Sequence, residues 1–576
     1  MGGTKINWLE WNNESFSRAK KEDRPILLDI SAVWCYWCHR MEQDTYSDDE
    51  VAKIIHEKYV PIKVDNDKRP DVNARYNMGG WPTTAILTPD GETIAGATYI
   101  PPEQMKHFLE AVHATYKQDK NEIHSRLGQI SRKESLMSIA EVQGVALNAE
   151  VFENVVAEIV LNYDDQYGGF GIEPKFPNVE ALRLLLLKYR KSKDSRYLNM
   201  ATKTLSAMYN SEMYDKVENG FFRYAVHRNW SEPHYEKMLD DHAELLRVYC
   251  EAFQVTKEEI FRKAAEGIVN YLKTHLETPE GGFYGSQDAD EEYYKLDSAG
   301  RKTKKAPFID KTIYVNWNGK MISSYLYAYS ALGDSHLKDF ALKSIDFILR
   351  HCYEHNKELC HYYSNGQKGI SGLLVDNLYF ANALLDAYEV TAESRYLGLP
   401  QEIADYMIAK FFDNEKSGFK DIATGEALGK LKTAERSFVE NAHTARFLTK
   451  LHYITDKEEY HKKAETVLKL LQTTHDYYGI FAAAFSQSLD FYLNHAMVNL
   501  VYSKADEKSK LLHTEILKTY YPNKIVRALD VNEDKAQIEK LGYSTQSFPM
   551  AFICFGTMCM PPAMNAEKVQ AIFERK

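Results

Sequence analysis

A glycine followed by an aromatic residue recurs through the middle of this chain at intervals of roughly fifty to eighty residues. The copies are Gly168-Gly169-Phe170, Gly220-Phe221-Phe222, Gly281-Gly282-Phe283-Tyr284, Gly418-Phe419 and Gly479-Ile480-Phe481, with His361-Tyr362-Tyr363 a version lacking the glycine. Between them lie segments of helical apolar period, among them Val151 to Leu161, Val179 to Tyr189, Leu239 to Phe253 and Phe261 to Leu272. Each interval holds two helices and a loop, so the six units predict a repeat architecture. Six helical hairpins closing on themselves make an (α/α)6 barrel; a curved array with open ends is the other arrangement. Eleven helices read plainly and the twelfth weakly. The glycine admits positive φ at the turn, and the aromatic residue is expected to cap the barrel wall.

The helices after these turns begin with polar residues: Lys175-Phe176-Pro177-Asn178, Trp230 through His242, Trp317-Asn318, Asp376-Asn377 and Glu440-Asn441-Ala442-His443. Equivalent helix starts of such a barrel gather at one mouth. The richest is His234-Tyr235-Glu236-Lys237-Met238-Leu239-Asp240-Asp241-His242. We expect His234 near a helix cap formed by Ser231 and Pro233, with Glu236 and Asp240 four apart on one helical face. Paired carboxylates with a histidine suit acid–base chemistry on a sugar, and capping with surface ion pairing is the plainer use of the same residues. Asp288 and Asp290, after Phe283-Tyr284, add carboxylates to the mouth. The pocket candidates are therefore His234, Glu236, Asp240, Asp241, His242, Asp288, Asp290, Trp317, Asp376, Glu440 and His443.

Ahead of the repeats stands Pro25 to Met41, PILLDISAVWCYWCHRM. An apolar strand carrying Asp29 leads to Cys35-Tyr36-Trp37-Cys38 at a helix start, where the helix dipole would favour the Cys35 thiolate as nucleophile and leave Cys38 to resolve a mixed disulfide. The helix is expected to run past Val51 to His56. Strands follow at Tyr59 to Asp65 and about Thr83 to Leu87, with a short helix over Asp71 to Tyr76 between them and a hairpin turn at Thr88-Pro89-Asp90-Gly91. A buried-strand acid six residues before the first cysteine, W-C-x-x-C, a V-D strand and W-P-T-T before a hairpin resemble thioredoxin. That resemblance implies a cis Trp81–Pro82 bond facing the dithiol, and a role for Asp29 in moving the proton of Cys38; a hydrogen-bonded structural acid is the alternative for Asp29.

The run Cys35-x-x-Cys38-His39 also fits a c-type haem attachment site, but no export signal accompanies it and the strand and W-P-T-T element would be idle. Zinc would need two further ligands, and no second C-x-x-C or H-x-x-x-H lies nearby. No metal and no organic cofactor is called for. The other cysteines, Cys250, Cys352, Cys360, Cys554 and Cys559, are sparse; we read them as free buried thiols, with Cys554 and Cys559, five apart, as a possible second redox pair of lower rank. A net charge of −11 disfavours nucleic acid and anionic membranes as partners. No apolar leader and no stretch of eighteen apolar residues is present, so a cytoplasmic protein is expected. Met1-Gly2 lacks the following Ser or Thr of a myristoylation signal, which has Ile6 in its place. Thirty-nine tyrosines and seven tryptophans suit either tyrosine-rich helical cores or a stacking surface for sugars or peptides.

Together CYWCHRM, VDNDKRPDVNARY, GGWPTTAILTPDG, YGGFGIEPKFP, NGFFRYAVHRNWSEPHYEKMLDDHA, GGFYGSQDAD, WNGKMI and GLLVDNLYFANALLDAYE resemble the spermatogenesis-associated-protein family, in which a thioredoxin domain is fused to a six-hairpin, glycosidase-like barrel. The resemblance implies a thioredoxin-like head on a barrel similar to those of sugar epimerases and glycosidases. This chain departs from the family at Tyr36, where a histidine is usual, at Asp29, where a small hydroxyl residue is usual, and in a shortened turn before Gly79. The expected organisation is multidomain α/β plus α: residues 1–120 thioredoxin-like, 121–496 the (α/α)6 barrel, and 497–576 a small α/β segment with strands at Val498 to Tyr502, Ile525 to Leu529 and Met550 to Phe555. The expected function is dithiol–disulfide exchange at Cys35 and Cys38, aided by Asp29 and Pro82, beside a barrel that binds a polar small molecule of carbohydrate kind, or exchange with a protein disulfide. A barrel-based sugar hydrolase or epimerase with a structural thioredoxin module is the alternative.

Overall fold

The computed structural model describes residues 5–118, 144–354, 358–423 and 428–575. The boundary expected near residue 120 lies outside them. The first sheet orders its strands β2-β1-β3-β4, with β1 Ile26–Ser31, β2 Val60–Asp65, β3 Thr83–Leu87 and β4 Thr93–Ala97. β1 pairs parallel with β2 and antiparallel with β3, setting Asp29 opposite Lys63 on one side and Thr84 on the other. Helix α1 spans Asn13–Glu22 and α2 spans Tyr36–Asp44; α3 is Asp49–Lys58 and α4 is Pro70–Tyr76. The single helix expected from the dithiol to His56 is thus two. Thr45 is the C-cap of α2, its hydroxyl donating to the Ile100 carbonyl at 2.7 Å, and the Asp48 carboxylate accepts the Glu50 and Val51 N–H groups as the N-cap of a new helix. A helix over residues 102–118 covers the sheet through Met105 and Leu109. The Trp81–Pro82 bond is cis.

Among the described residues, twelve helices form the barrel. Six make the inner ring: α6 Val179–Ser192, α8 Leu239–Thr256, α10 Val315–Leu332, α12 Leu374–Thr391, α14 Phe438–Thr455 and α16 Ala483–Asn494. Each packs on the next, and α16 returns to α6, so the array is closed. Outside them lie α7 Ser195–Asn210, α9 Glu259–Tyr271, α11 Ser335–His351, α13 Arg395–Phe411 and α15 Glu458–Gln472, each against the inner helix it follows. The sixth hairpin joins the two ends of the barrel sequence, because α5, Glu150–Leu161, backs α16. One continuous apolar core runs around both layers.

The glycine–aromatic turns precede inner helices as expected, and a second repeated residue explains how they are held. Gly220 has φ +78°, and a Cβ there would lie 2.8 Å from Tyr271 and 2.9 Å from His242. His242 Nε2 accepts the Phe221 N–H at 2.9 Å, while Nδ1 donates to the Met238 carbonyl at 2.6 Å. Asn318 repeats both bonds, to Phe283 N–H at 2.7 Å and Tyr314 O at 2.9 Å. Asn441 does so again, to Phe419 N–H at 2.7 Å and Ser437 O at 2.8 Å. All three stand at the fourth residue of their inner helices, so these polar positions tie helix to turn. The last copy departs from the pattern: Phe481 is 64% exposed and caps no wall.

The C-terminal segment carries β5 Ala496–Tyr502, α17 Glu507–Lys518, β6 Lys524–Asp530, β7 Met550–Phe555 and β8 Met558–Cys559, with sheet order β6-β5-β7-β8. β5 runs parallel to β6 and antiparallel to β7, and β7 is antiparallel to β8. The order, the polarities and a cis X–Pro bond just before the third strand, here Phe548–Pro549, all match the N-terminal sheet. Cys554 and Cys559 form a disulfide across β7 and β8, where free thiols were expected; the antiparallel register sets these two residues opposite each other. Cys250, Cys352 and Cys360 are free and buried. Among the described residues no helix is long and apolar enough to cross a membrane.

Candidate active site at the domain junction

β1 ends four residues before Cys35, which is the N-cap of α2. Cys35 and Cys38 are joined as a disulfide, and the Cys38 N–H points at Cys35 Sγ, 3.2 Å. On reduction that amide and the helix N-terminus favour the Cys35 thiolate. Asp29 lies in β1 in the core, accepting from the Tyr46 hydroxyl at 3.2 Å and lying 3.4 Å from Lys63 Nζ. Burial raises its pKa against the pull of Lys63.

Neither sulfur faces open solvent. Cys35 is 4% exposed and Cys38 2%, in a cluster with Ala32, Trp34 and the barrel residue Met238, against which Trp81 and the barrel's Trp317 also pack. Two polar contacts near the dithiol hold the two domains in this arrangement, and a bond within the thioredoxin-like domain, from Trp34 to Asp67, steadies one of them. His39 Nε2 lies 3.1 Å from both oxygens of Asp288. Trp34 Nε1 donates to Asp67 at 2.6 Å, and His361 Nε2 donates to the Asp67 carbonyl at 2.7 Å. His361 Nδ1 lies 2.9 Å from Asp376, whose charge raises the His361 pKa against burial. Burial and the neighbouring Asp65 push the Asp67 carboxyl up to about 8.

The barrel lumen beneath the mouth holds a cavity of about 240 Å³, floored by Leu517, Thr519, Tyr521 and Lys524 of the C-terminal segment. Its walls are polar: Lys320 bridges Asp240, 2.8 Å, and Glu244, 3.1 Å; Arg183 forks onto Glu251; and Lys450 pairs with Asp386 at 2.6 Å and with Glu389. His443 lies 3.6 Å from Glu180, and burial lowers its pKa to about 4.

The pocket candidates separate into three groups. His443 lines the lumen cavity, and Asp240 pairs with Lys320, which also lines it. Trp317, Asp288, Glu236 and Asp241 cluster near the dithiol: Glu236 is 3% exposed with Oε2 unbonded, and Asp241 has Oδ2 unbonded while burial raises its carboxyl to about 7. The rest serve structural bonds. His242 holds a turn; Asp376 is spent on His361 and the Asn316 N–H; Asp290 caps a short helix at Tyr293 and pairs with Lys304 at 2.9 Å; and the Ser437 hydroxyl donates to Glu440. His234 stacks on Tyr224, ring centroids 4.2 Å apart, and its Nδ1 is 3.9 Å from Glu236.

The helical register expected for His234, Glu236 and Asp240 does not form. Residues 233–234 and 237–238 are short strands paired with 224–225 and 286–287, and α8 begins only at Leu239. Ser231 and Pro233 therefore cap no helix. Arg223, absent from the expected set, stacks on Trp34 and Trp81 with its guanidinium carbon 4.5 and 5.0 Å from the ring centroids. Its position just after Gly220-Phe221-Phe222 was the only sequence signal. No group of three or more metal-ligating side chains is found among the described residues.

Residues 3–134 match the family model Thioredox_DsbH, described as a protein of unknown function, DUF255. Spermatogenesis-associated protein 20 of Rattus norvegicus is 27% identical over 593 residues, covering 80% of this chain and 75% of that protein. An uncharacterized Caenorhabditis elegans protein is 26% identical over 585 residues, covering 80% of this chain and 79% of its own length. Among solved structures, cellobiose 2-epimerase from Bacillus thermoamylovorans overlaps 56% of this chain and 87% of its own at 15% identity, with a TM-score of 0.47. The chain is thus similar over four-fifths of its length to spermatogenesis-associated protein 20, and its head matches a thioredoxin-like family model.

Proposed function

We propose that this protein carries out thiol–disulfide exchange at Cys35 and Cys38 on a small polar molecule held at the mouth of its barrel. The observation that carries this reading is the packing of Met238 and Trp317 on the disulfide, which covers both sulfurs and so hinders a folded protein partner while the domains stay docked. A lumen lined by Ser323, Tyr327, Tyr379 and Asn382 among charged pairs suits a hydroxyl-rich, carbohydrate-like ligand. The sparse cysteines, three of them unpaired in the core, suit a cytoplasmic setting. The test is capture by the Cys38→Ser variant, offered separately the small-molecule and protein fractions of a cell extract. Intact mass should show a small adduct from the first fraction, and an adduct only from the second would overturn the reading.

The unbonded Glu236 oxygen and the Asp241 carboxyl raised to about 7 favour a second reading, in which the barrel is a sugar hydrolase or epimerase and the thioredoxin-like domain is structural. In that case Glu236→Gln or His234→Ala abolishes sugar turnover and Cys35→Ser leaves it intact.

A further inference from the structure

Arg223 lies against the two tryptophans that flank the dithiol, with its guanidinium donors unbonded among the described residues. Its guanidinium lies over the indoles of Trp34, the residue before Cys35, and Trp81, the residue before cis-Pro82. Its backbone N–H donates to the His234 carbonyl, but its side chain makes no hydrogen bond or ion pair among the described residues. The two acids whose charges it feels do not take it up. Asp67 is bonded by the Trp34 indole at 2.6 Å and the Asn66 amide at 2.8 Å, while Asp241 keeps an unbonded oxygen. A planar guanidinium fixed on two rings is pre-organised for a carboxylate, because its donors need no further ordering. The site is only partly buried, whereas the sulfurs beside it are nearly closed off.

We propose that Arg223 is a specificity residue that receives the carboxylate of a small anionic thiol or disulfide, which is the exchange partner of Cys35. The proposal rests on the dithiol reading and names the substrate class for it. In the reduced protein the Cys35 thiolate attacks one sulfur of the small disulfide, that S–S bond breaks, and the first half leaves as a thiolate that takes a proton from water. The Cys38 thiolate then attacks the Cys35 sulfur, releasing the second half and closing the Cys35–Cys38 bond. Two electrons pass from the protein dithiol to the ligand disulfide, and two small thiols acting on the oxidised protein reverse every step. The carboxylate on Arg223 fixes which small disulfides reach Cys35.

The test compares oxidised glutathione, which is anionic, with cystamine, which is cationic, as oxidants of the reduced full-length protein, followed by quenched alkylation and mass. Wild type should prefer oxidised glutathione, relative to the rates of both with a free thiol. Arg223→Gln should slow oxidised glutathione about tenfold, the scale of one lost charged hydrogen bond, and leave cystamine unchanged or faster. Arg223→Lys, which keeps the charge without the planar fork, should fall between, and a preserved melting transition excludes misfolding. Equal slowing with both oxidants, or no charge preference in wild type, overturns the Arg223 assignment alone. If wild type exchanges with neither, the dithiol reading itself fails.

Discussion

Nε2 of His39, the residue after the dithiol, lies 3.1 Å from each carboxylate oxygen of Asp288 in the barrel. The hydrogen bond to Asp288 raises the His39 pKa despite burial, and burial raises that of Asp288 against the pull of His39. The same pair therefore steadies the domain junction and makes it sensitive to pH.

The His39 contribution is full below its ordinary pKa near 6.5 and is lost as pH rises through the raised folded value. Both groups are charged only between the raised Asp288 pKa and the raised His39 pKa. Asp288→Asn should thus cost more stability at about pH 6 than at about pH 9. The His39 side chain is 38% exposed, so solvent screening keeps the difference below about 1 kcal/mol. Urea unfolding at the two pH values checks this, and a cost independent of pH would show that the pair is not ionised.

A second clamp joins α4 of the thioredoxin-like domain to the barrel. Arg75, its side chain 1% exposed, bonds Asp421 at 2.8 Å and the Thr433 carbonyl at 2.9 Å, and the Lys430 N–H donates to the Tyr76 hydroxyl at 2.7 Å. Arg75→Ala leaves the Thr433 carbonyl without this donor, at a cost of about 2 kcal/mol. Because the barrel covers the sulfurs, loosening this clamp should also speed alkylation of reduced Cys35 by a bulky maleimide. Unchanged alkylation would mean that the junction opens by another route.

His242 tests the repeat. His242→Ala strands the buried Phe221 N–H and should cost about 2 to 3 kcal/mol. His242→Asn should recover much of that loss, because Asn318 and Asn441 make the same two bonds from the same helical position. Melting temperatures of the two variants decide it, and an asparagine as damaging as alanine would refute the equivalence.

The same positions show what was legible in the sequence. The dithiol and the six hairpins could be read because each depends on neighbours in sequence, a capped helix start and a glycine before an aromatic residue, whereas the cis Trp81–Pro82 bond followed only from the resemblance to thioredoxin. The function of the polar helix starts could not. His242 and Asn318 look like pocket residues until the non-local turn each one bonds is known. Glu236 was misplaced because strands of two residues leave no periodic trace, and their partners, Tyr224-Ala225 and Ser286-Gln287, are supplied by distant loops. Arg223 was missed because its role comes only from two tryptophans in another domain. His39 fitted a haem pattern in sequence and instead meets Asp288, 249 residues away.

The C-terminal sheet supports a prediction that a reading of cysteines alone would not suggest. Cys35 and Asp506 each follow a central strand by four residues and cap a helix, with φ/ψ of −93°/112° and −97°/122°. Each side chain accepts the N–H three residues on, Cys38 in one case and Ser509 in the other. Asp506 and Ser509 therefore occupy the places of the nucleophile and the resolver in a module that lacks the dithiol. Asp506→Cys with Ser509→Cys, introduced into a Cys35→Ser/Cys38→Ser background, should create a new disulfide, since the N-cap geometry sets Cys35 and Cys38 at a Cα separation of 5.2 Å. Peptide mapping under non-reducing conditions would find the 506–509 bridge beside the native Cys554–Cys559 bridge. If both new thiols stay alkylatable under oxidant, the two helix starts are not geometrically equivalent, and the match between the sheets stops at strand order.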